Sequence, residues 1–327
     1  MILPQVTIVV CTFNRADPLR EAVASLRALQ TGGRFTYEVL IVDNASTDHT
    51  PQVAADLSAA AGAPVRRIVE SRKGVASARN RGVREARGEW IAFFDDDQLA
   101  DPRWLAELLD LAERKSLRCT GGAVHLRLPG GCRRDLAGMC RVLLGETRGM
   151  PREMPYNRRQ APGAGNLLLH KTVFDEVGLF DESLTSGGED TDLFRRIRAA
   201  RIDAWYTPAA IVHHIIPAQR LESRQLRWTA LRIGGHLARR ERQDYGKLFP
   251  LAIAARLAQA ALVAAPRVLA ARLARRPEHV VGADCRLAMW TGYVRSGCAL
   301  LAPRWFGQGE FFTGMQFRSE PKPLASE

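Results

Sequence analysis

Five mostly apolar residues, Trp90-Ile91-Ala92-Phe93-Phe94, run straight into three carboxylates, Asp95-Asp96-Asp97. The run has no helical period and predicts a strand buried on both faces, as in a parallel sheet. Such a strand delivers Asp95 and Asp97 to the carboxyl edge of a sheet, where open α/β sheets bind their ligands. Three adjacent carboxylates repel one another unless a cation or hydrogen-bond donors relieve them. Hard oxygen ligands of this kind suit Mg²⁺ or Mn²⁺, which complete their shells with water and substrate phosphate. An isolated Asp-x-Asp is more often a solvated acidic turn. The surrounding sequence decides between the two.

Before that strand the chain alternates strand and helix. Val6 to Cys11 predicts a buried strand, followed by the polar turn Thr12-Phe13-Asn14-Arg15. Asp17 is placed to cap a helix with Pro18 at its first position, and Leu19, Val23, Leu26 and Leu29 keep helical spacing up to Gly32-Gly33. Tyr37 to Val42 predicts a second strand, running into Asp43-Asn44-Ala45-Ser46-Thr47-Asp48, and another helix extends to about Ala60. Val65 to Glu70 predicts a third strand, with the basic turn Arg72-Lys73-Gly74 after it and a helix from about Val75 to Arg87. This rhythm predicts an α/β domain with a doubly wound, mostly parallel sheet. Three strand ends then converge on one crevice, where Asp43 is placed for a base or ribose and Arg72, Lys73 and Arg79 for diphosphate or base. No G-x-G-x-x-G follows the first strand and no G-x-x-x-x-G-K-[ST] occurs, which argues against a Rossmann dinucleotide site and a P-loop.

With 327 residues and 46% hydrophobic content, the chain can bury a sizeable core. Met1 to Gln5 has no basic start, so no signal peptide is expected. The six cysteines form no C-x-x-C pair, which fits a reduced cytosolic compartment and argues against a zinc site. The net charge of +12 is uneven: residues 1–214 carry 29 Lys+Arg against 27 Asp+Glu, and residues 215–327 carry 18 against 8. The basic excess therefore concerns a partner of the C-terminal third.

Taken together, Val9-Val10-Cys11-Thr12-Phe13-Asn14-Arg15, Val42-Asp43-Asn44-Ala45-Ser46-Thr47-Asp48, Gly74 with Ala78-Arg79-Asn80, and Phe94-Asp95-Asp96-Asp97 resemble a family 2 glycosyltransferase of the GT-A fold. The likeness continues in Gly163-Ala164-Gly165-Asn166, in Gly187-Gly188-Glu189-Asp190-Thr191-Asp192-Leu193-Phe194-Arg195-Arg196, and in Pro208-Ala209-Ala210-Ile211-Val212-His213-His214. It covers roughly residues 5–220 and is nearest to bacterial exopolysaccharide-type enzymes. Seven motifs in family order are specific where each alone is weak.

The resemblance implies a catalytic domain over residues 1–220, with a nucleotide-sugar half to about residue 100 and an acceptor half beyond it. Thr12, Asn14, Arg15 and Asp43 would hold the nucleotide, with Arg79 nearby and Asp96 between the metal carboxylates. Asp95 and Asp97 would bind ribose and the divalent metal, Mg²⁺ or Mn²⁺, and His214 would complete the metal or phosphate site. Strand alternation allows only one of His213 and His214 to line the site, and family position chooses His214. Asp190 would be the general base for the acceptor hydroxyl. It precedes a helical pattern, where an anionic side chain is favoured and where a mere capping role is the plain alternative. The chemistry suits these residue types: a leaving nucleoside diphosphate needs a cation where charge grows, and the attacking hydroxyl needs a base. A single base gives displacement with inversion. The implied donor is a nucleotide-diphosphate sugar, a UDP-sugar first, and the implied acceptor a glycan or polyprenyl-diphosphate-linked glycan. The pattern departs from the family where Ala200-Arg201 stand at the usual helix-ending glycine, and residues 125–162 match nothing firmly, reading as an acceptor-side loop or a solvated one.

Residues 221–313 read as a helical, basic region and 314–327 as a tail. Leu248 to Leu273 and Leu287 to Phe306 are apolar runs with Arg, Trp and Tyr in them or at their margins, and neither reaches the roughly 18 uncharged residues of a spanning helix. They suit an interfacial region on an anionic membrane, on the inner face of the cell membrane, or a bundle packed in a dimer. A sugar-phosphate nucleotidyltransferase would share the sheet and carboxylates but wants a Gly-rich loop after the first strand. A nucleic-acid-binding protein would suit the basic pI, but aromatic interleaving and a binding motif are missing, so no nucleic-acid partner is expected.

Overall fold

A computed structural model describes residues 3–130, 136–158, 160–184, 187–275 and 277–306, and the expected tail at 314–327 lies outside them. The chain forms two compact units, Met1–Glu222 and Ser223–Glu327.

The first unit runs β1 (Val6–Thr12), α1 (Ala16–Arg27), β2 (Tyr37–Asp43), α2 (Thr50–Ala59), β3 (Val65–Val69), α3 (Val75–Glu85), β4 (Trp90–Asp95) and β5 (Gln98–Ala100). It continues through α4 (Trp104–Lys115), β6 (Cys119–Arg127), α5 (Gly138–Leu143), β7 (Met154–Pro155), β8 (Asn166–His170), α6 (Thr172–Val177), α7 (Glu189–Ala199) and β9 (Ala204–Ile215). The strands form one sheet in the order β3-β2-β1-β4-β8-β6-β9-β5, with β7 beside β9. From β3 to β4 neighbours are parallel, as are β6 and β9. The apolar run at β4 therefore has a parallel neighbour on one side only, because β8 enters antiparallel on the other. Both faces are nonetheless covered: Ala92 and Phe94 join one apolar cluster and Ile91 and Phe93 the other.

Register places the polar strand ends together. Thr12 sits opposite Asp43, Cys11 opposite Asp95, and Gln98 opposite His214. Two local expectations fail. Helix α1 begins at Ala16, so Asp17 and Pro18 lie inside its first turn and no side chain caps it. After α7, Arg201 itself takes the left-handed conformation (φ 58°) that the family's glycine would supply, a costly backbone for a side chain bearing a Cβ.

The second unit contains α8 (Ser223–Tyr245), α9 (Phe249–Gln259), a wide π turn at Ala260–Ala264, α10 (Ala265–Leu273) and α11 (Pro277–Leu301). The wide turn comes just before Pro266, whose ring and missing N–H a regular helix cannot absorb. A Cβ on Gly234 would overlap the Met289 carbonyl, and one on Gly292 the Leu231 carbonyl, so these glycines let α8 and α11 meet backbone to backbone. Inside, Glu241 accepts hydrogen bonds from Tyr293 Oη at 2.6 Å and Arg256 at 2.9 Å, and the Arg256 guanidinium lies 4.8 Å from the Trp290 ring. Tyr293 is thus buried and Trp290 half-buried in the bundle and not at an interfacial margin, whereas Trp305 and Phe306 at the end of the same run are exposed. The longest uncharged run within Leu248–Leu273 is ten residues, as expected, yet the stretch Ser223–Leu273 contains an 18-residue window of mean hydropathy 1.8 with at most two charged residues, long and apolar enough by length and composition to cross a membrane.

Gly292→Leu is expected to destabilise the helical unit by about 1–3 kcal/mol through overpacking, seen as a lower midpoint in thermal unfolding by circular dichroism. Thr291→Leu, one residue away on an exposed position, should change it little.

Candidate active site

The site is a set of carboxylates at the carboxyl edge of the sheet, answered by cations from several elements. Asp95 ends β4, Asp96 and Asp97 form the turn, and Gln98 opens β5. Arg15, just after β1, donates to Asp96 Oδ1 at 3.1 Å and Asp97 Oδ2 at 2.6 Å. Burial pushes the Asp96 carboxyl up to about 7 against the pull of Arg15. Burial also opposes ionisation of Asp97, but the His214 ring and the Arg15 guanidinium outweigh it and hold that carboxyl well below the usual range.

His214 comes to the site through β9. Its Nδ1 lies 2.9 Å from the Leu144 carbonyl, which can only accept, so Nδ1 carries hydrogen. Nε2 is then turned to Asp97 Oδ2 at 3.5 Å and to Arg220 Nη1 at 3.1 Å. His213, on the opposite face, packs edge-on against His125.

Arg79 projects from α3 and is buried. It donates to Glu189 Oε1 at 2.5 Å and approaches Asp95 Oδ1 at 3.5 Å, with its guanidinium 5.6 Å from the Phe180 ring. This ion pair joins the strand-end carboxylate to α7. Glu189 is buried, and its Oε2 has no hydrogen-bond partner. Its neighbour Asp190 accepts from the Thr191 N–H at 2.6 Å and from the Thr191 hydroxyl at 3.3 Å. Gly187 and Gly188, both at φ 97°, lead into α7 with a backbone few other residues adopt.

The remaining nucleotide-side residues are placed as follows. Thr12 is buried at the end of β1. Asn14 takes a left-handed backbone (φ 53°), and its Oδ1 accepts the Thr47 N–H at 2.8 Å, so its side chain ties two turns together. Asp43 accepts the Ser46 N–H at 3.0 Å and borders a cleft of about 270 Å³ with Ala54, Arg67, Ile68 and Val69. Arg72 is turned away to Glu70 and Glu182. Burial raises the Cys11 thiol to about 12, which leaves it protonated and inert.

Sequence reasoning missed Glu189, Arg220 and Gly165. Glu189 was visible only as the residue before Asp190, and Arg220 only as a basic residue six positions after His214. A Cβ on Gly165 would overlap the Asp95 carboxylate, so the second glycine of the Gly-Ala-Gly-Asn motif is the space in which Asp95 lies. Beside it, Asn166 accepts from Trp104 Nε1 at 2.8 Å and donates to the carbonyls of Ala123 and Ala210.

A divalent cation is tested by this donor set. Among the described residues no group of three or more His, Cys, Asp or Glu side chains is placed to hold a metal ion. Asp95 is nonetheless 44% exposed at its side chain and reaches the crevice beside Asp97 and His214. Asp95, Asp97 and His214 do not gather into a metal-holding group in this structure; carboxylate oxygens are the donor type that a hard cation takes, with water and substrate phosphate completing its shell.

Residues 7–159 match the family model for Glycosyl transferase family 2. Over those residues the chain is similar to family 2 glycosyltransferases, and its fold is GT-A. It is 27% identical to Glycosyltransferase AglE of Haloferax volcanii over 57% of this chain and 59% of that protein. It is 29% identical to the succinoglycan biosynthesis protein ExoM of Rhizobium meliloti over 68% of this chain and 70% of that one. To ExoO of the same organism it is 39% identical over 34% of this chain, spanning 30% of that protein. The chain thus covers less than two thirds of the AglE and ExoO lengths. Among solved structures it superposes on the mannosyltransferase PcManGT of Pyrobaculum calidifontis, in complex with GDP-Man and Mn²⁺, with a TM-score of 0.61 at 19% identity over 94% of this chain and 89% of that one. GalNAc-T7 with UDP, GalNAc and Mn²⁺ gives a TM-score of 0.54 at 18% identity over 71% and 48%.

Removing Arg79 alone leaves Glu189 buried and unpaired, so Arg79→Met should destabilise by about 3–5 kcal/mol. The double variant Arg79→Met, Glu189→Leu should recover most of that loss in denaturant titrations. Additive losses would mean that the two residues do not form a pair.

Proposed function

We propose that this chain is an inverting, divalent-metal-dependent glycosyltransferase that moves a sugar from a nucleotide-diphosphate donor to a glycan or lipid-linked glycan hydroxyl. The observation that carries it is the meeting of Asp95, Asp97 and His214 at one sheet edge, joined through Arg79 and Glu189 to the helix end that bears Asp190.

Asp43, beside its cleft, would take the nucleoside, and Thr12 lies opposite it. A divalent cation held by Asp95 and Asp97 would neutralise charge developing on the leaving diphosphate. His214 and Arg220, flanking Asp97, are placed to steady phosphate oxygens. Asp190 would accept the proton of the attacking hydroxyl, on the far side of the sugar from the diphosphate. Arg79 within electrostatic reach of Asp190 holds that helix end in register with the donor side.

The nucleotide base is proposed as uridine first, although the two related folds were solved with UDP and GDP-Man. Polysaccharide or surface-glycan synthesis is supported by the names of the Rhizobium relatives. A cytoplasmic site on the inner face of the membrane is supported by the basic excess of residues 215–327.

A thermal-shift panel of UDP, GDP, dTDP and CMP, each with and without Mn²⁺, tests the donor side. One diphosphate should raise the midpoint only with metal and fail to do so in Asp97→Ala. Asp190→Asn should keep that shift while lowering kcat about 10²–10⁴-fold. No shift with any nucleotide would contradict the proposal.

A further inference from the structure

Helix α9, the wide turn and α10 form one helical run from Phe249 to Leu273. A single strip of it is buried: Phe249, Ile253, Ala260, Ala264 and Val268. The opposite side would carry charged residues on a water-facing helix. Here it presents Leu251, Leu257, Leu262, Leu269 and Leu273, with Leu262 and Leu273 each 76% exposed. Between Leu257 and Pro266 ten residues pass without a charge, and Gln259 is the one polar side chain among them. Arg256, the charge nearest the middle, folds inward onto Glu241 and Trp290. The apolar window that could span a membrane is only 22% buried, whereas a core helix of that hydropathy would be mostly covered. In the first unit the large exposed apolar residues, such as Phe13, Val69 and Val142, lie scattered along the sequence.

Charge selects the occupant. From Tyr245 to Pro277 the sequence holds six Lys or Arg and no Asp or Glu. A second copy laid on this face would bring like charges together at both ends. The headgroup layer of an anionic bilayer complements them while its acyl chains receive the leucines.

We propose that the outer face of α9 and α10 inserts into one leaflet of a phospholipid bilayer and lies in its plane. The buried strip of the same run packs on α11, which carries Asp284, Arg286 and Arg295. A crossing orientation would draw those charges through hydrocarbon, and an in-plane one leaves them on the watery side. This rests on the membrane reading above and sharpens it from adsorption by charge to insertion by an identified apolar face.

Flotation of the full chain with vesicles of phosphatidylcholine, alone or mixed with phosphatidylglycerol, tests it. Wild type should float with the mixed vesicles and stay bound through a wash in about 1 M salt, where surface attraction is screened. The double variant Leu262→Asp, Leu269→Asp changes two exposed positions and should keep its circular dichroism while losing roughly tenfold or more of the binding. Val142→Asp, exposed in the first unit, should bind as wild type. Binding that salt reverses fully and that the double variant shares would overturn insertion while leaving adsorption standing. No binding to either vesicle would overturn both. A wild-type dimer that ignores vesicles, and that the double variant splits, would assign the face to a second copy and overturn the proposal.

Discussion

One buried cation holds the site together. Arg79 stands between Glu189 of α7 and Asp95 at the end of β4, pairing closely with the buried Glu189 and at longer range with the more exposed Asp95. Burying a guanidinium is costly, and the partners recover that cost only when the geometry is held closely. The same logic is repeated around it. Arg15 answers Asp96 and Asp97, and His214 and Arg220 close on Asp97 from the other side. An acidic cluster that a short sequence could not tolerate alone is balanced by groups from the β1 turn, α3, β9 and the turn after β9. Removal of any one cation shifts the charge seen by the others.

The sheet supplies the rigidity this balance needs. β8 enters antiparallel between β4 and β6, and its first residue, Asn166, bonds three separate segments. Its neighbour Gly165 leaves room for the Asp95 carboxylate. Gly165 and Asn166 thus set the start of β8 against the end of β4, which is why a motif of two glycines, an alanine and an asparagine sits so far in sequence from the carboxylates it supports.

Much of this was legible from periodicity and turn chemistry. The strands β1 to β4 are short apolar runs ended by polar turns, and each was placed within a residue or so. The direction of β8 was not legible, because Leu167-Leu168-Leu169 is equally apolar in either sense. The commitment of Arg79 was hidden for a similar reason: its partner lies 110 positions away, and local sequence carries no sign of it. Asn14 likewise carries a role that local sequence does not show, since its side chain ties two turns together. In the helical unit, Tyr293 and Trp290 looked like interfacial aromatics. Their burial follows from Glu241 and Arg256, whose convergence depends on how α8 and α9 meet α11.

The account turns on the claim that Asp95, Asp97 and His214 form the metal and diphosphate side of the crevice. The most direct measurement is a crystal of the full chain soaked with Mn²⁺ and UDP, with anomalous data collected at the manganese edge. A peak within coordination distance of the Asp95 or Asp97 carboxylate, bridged to the diphosphate and next to His214, is the predicted result. A nucleotide bound with its phosphates elsewhere, or manganese ligated away from β4, would contradict it.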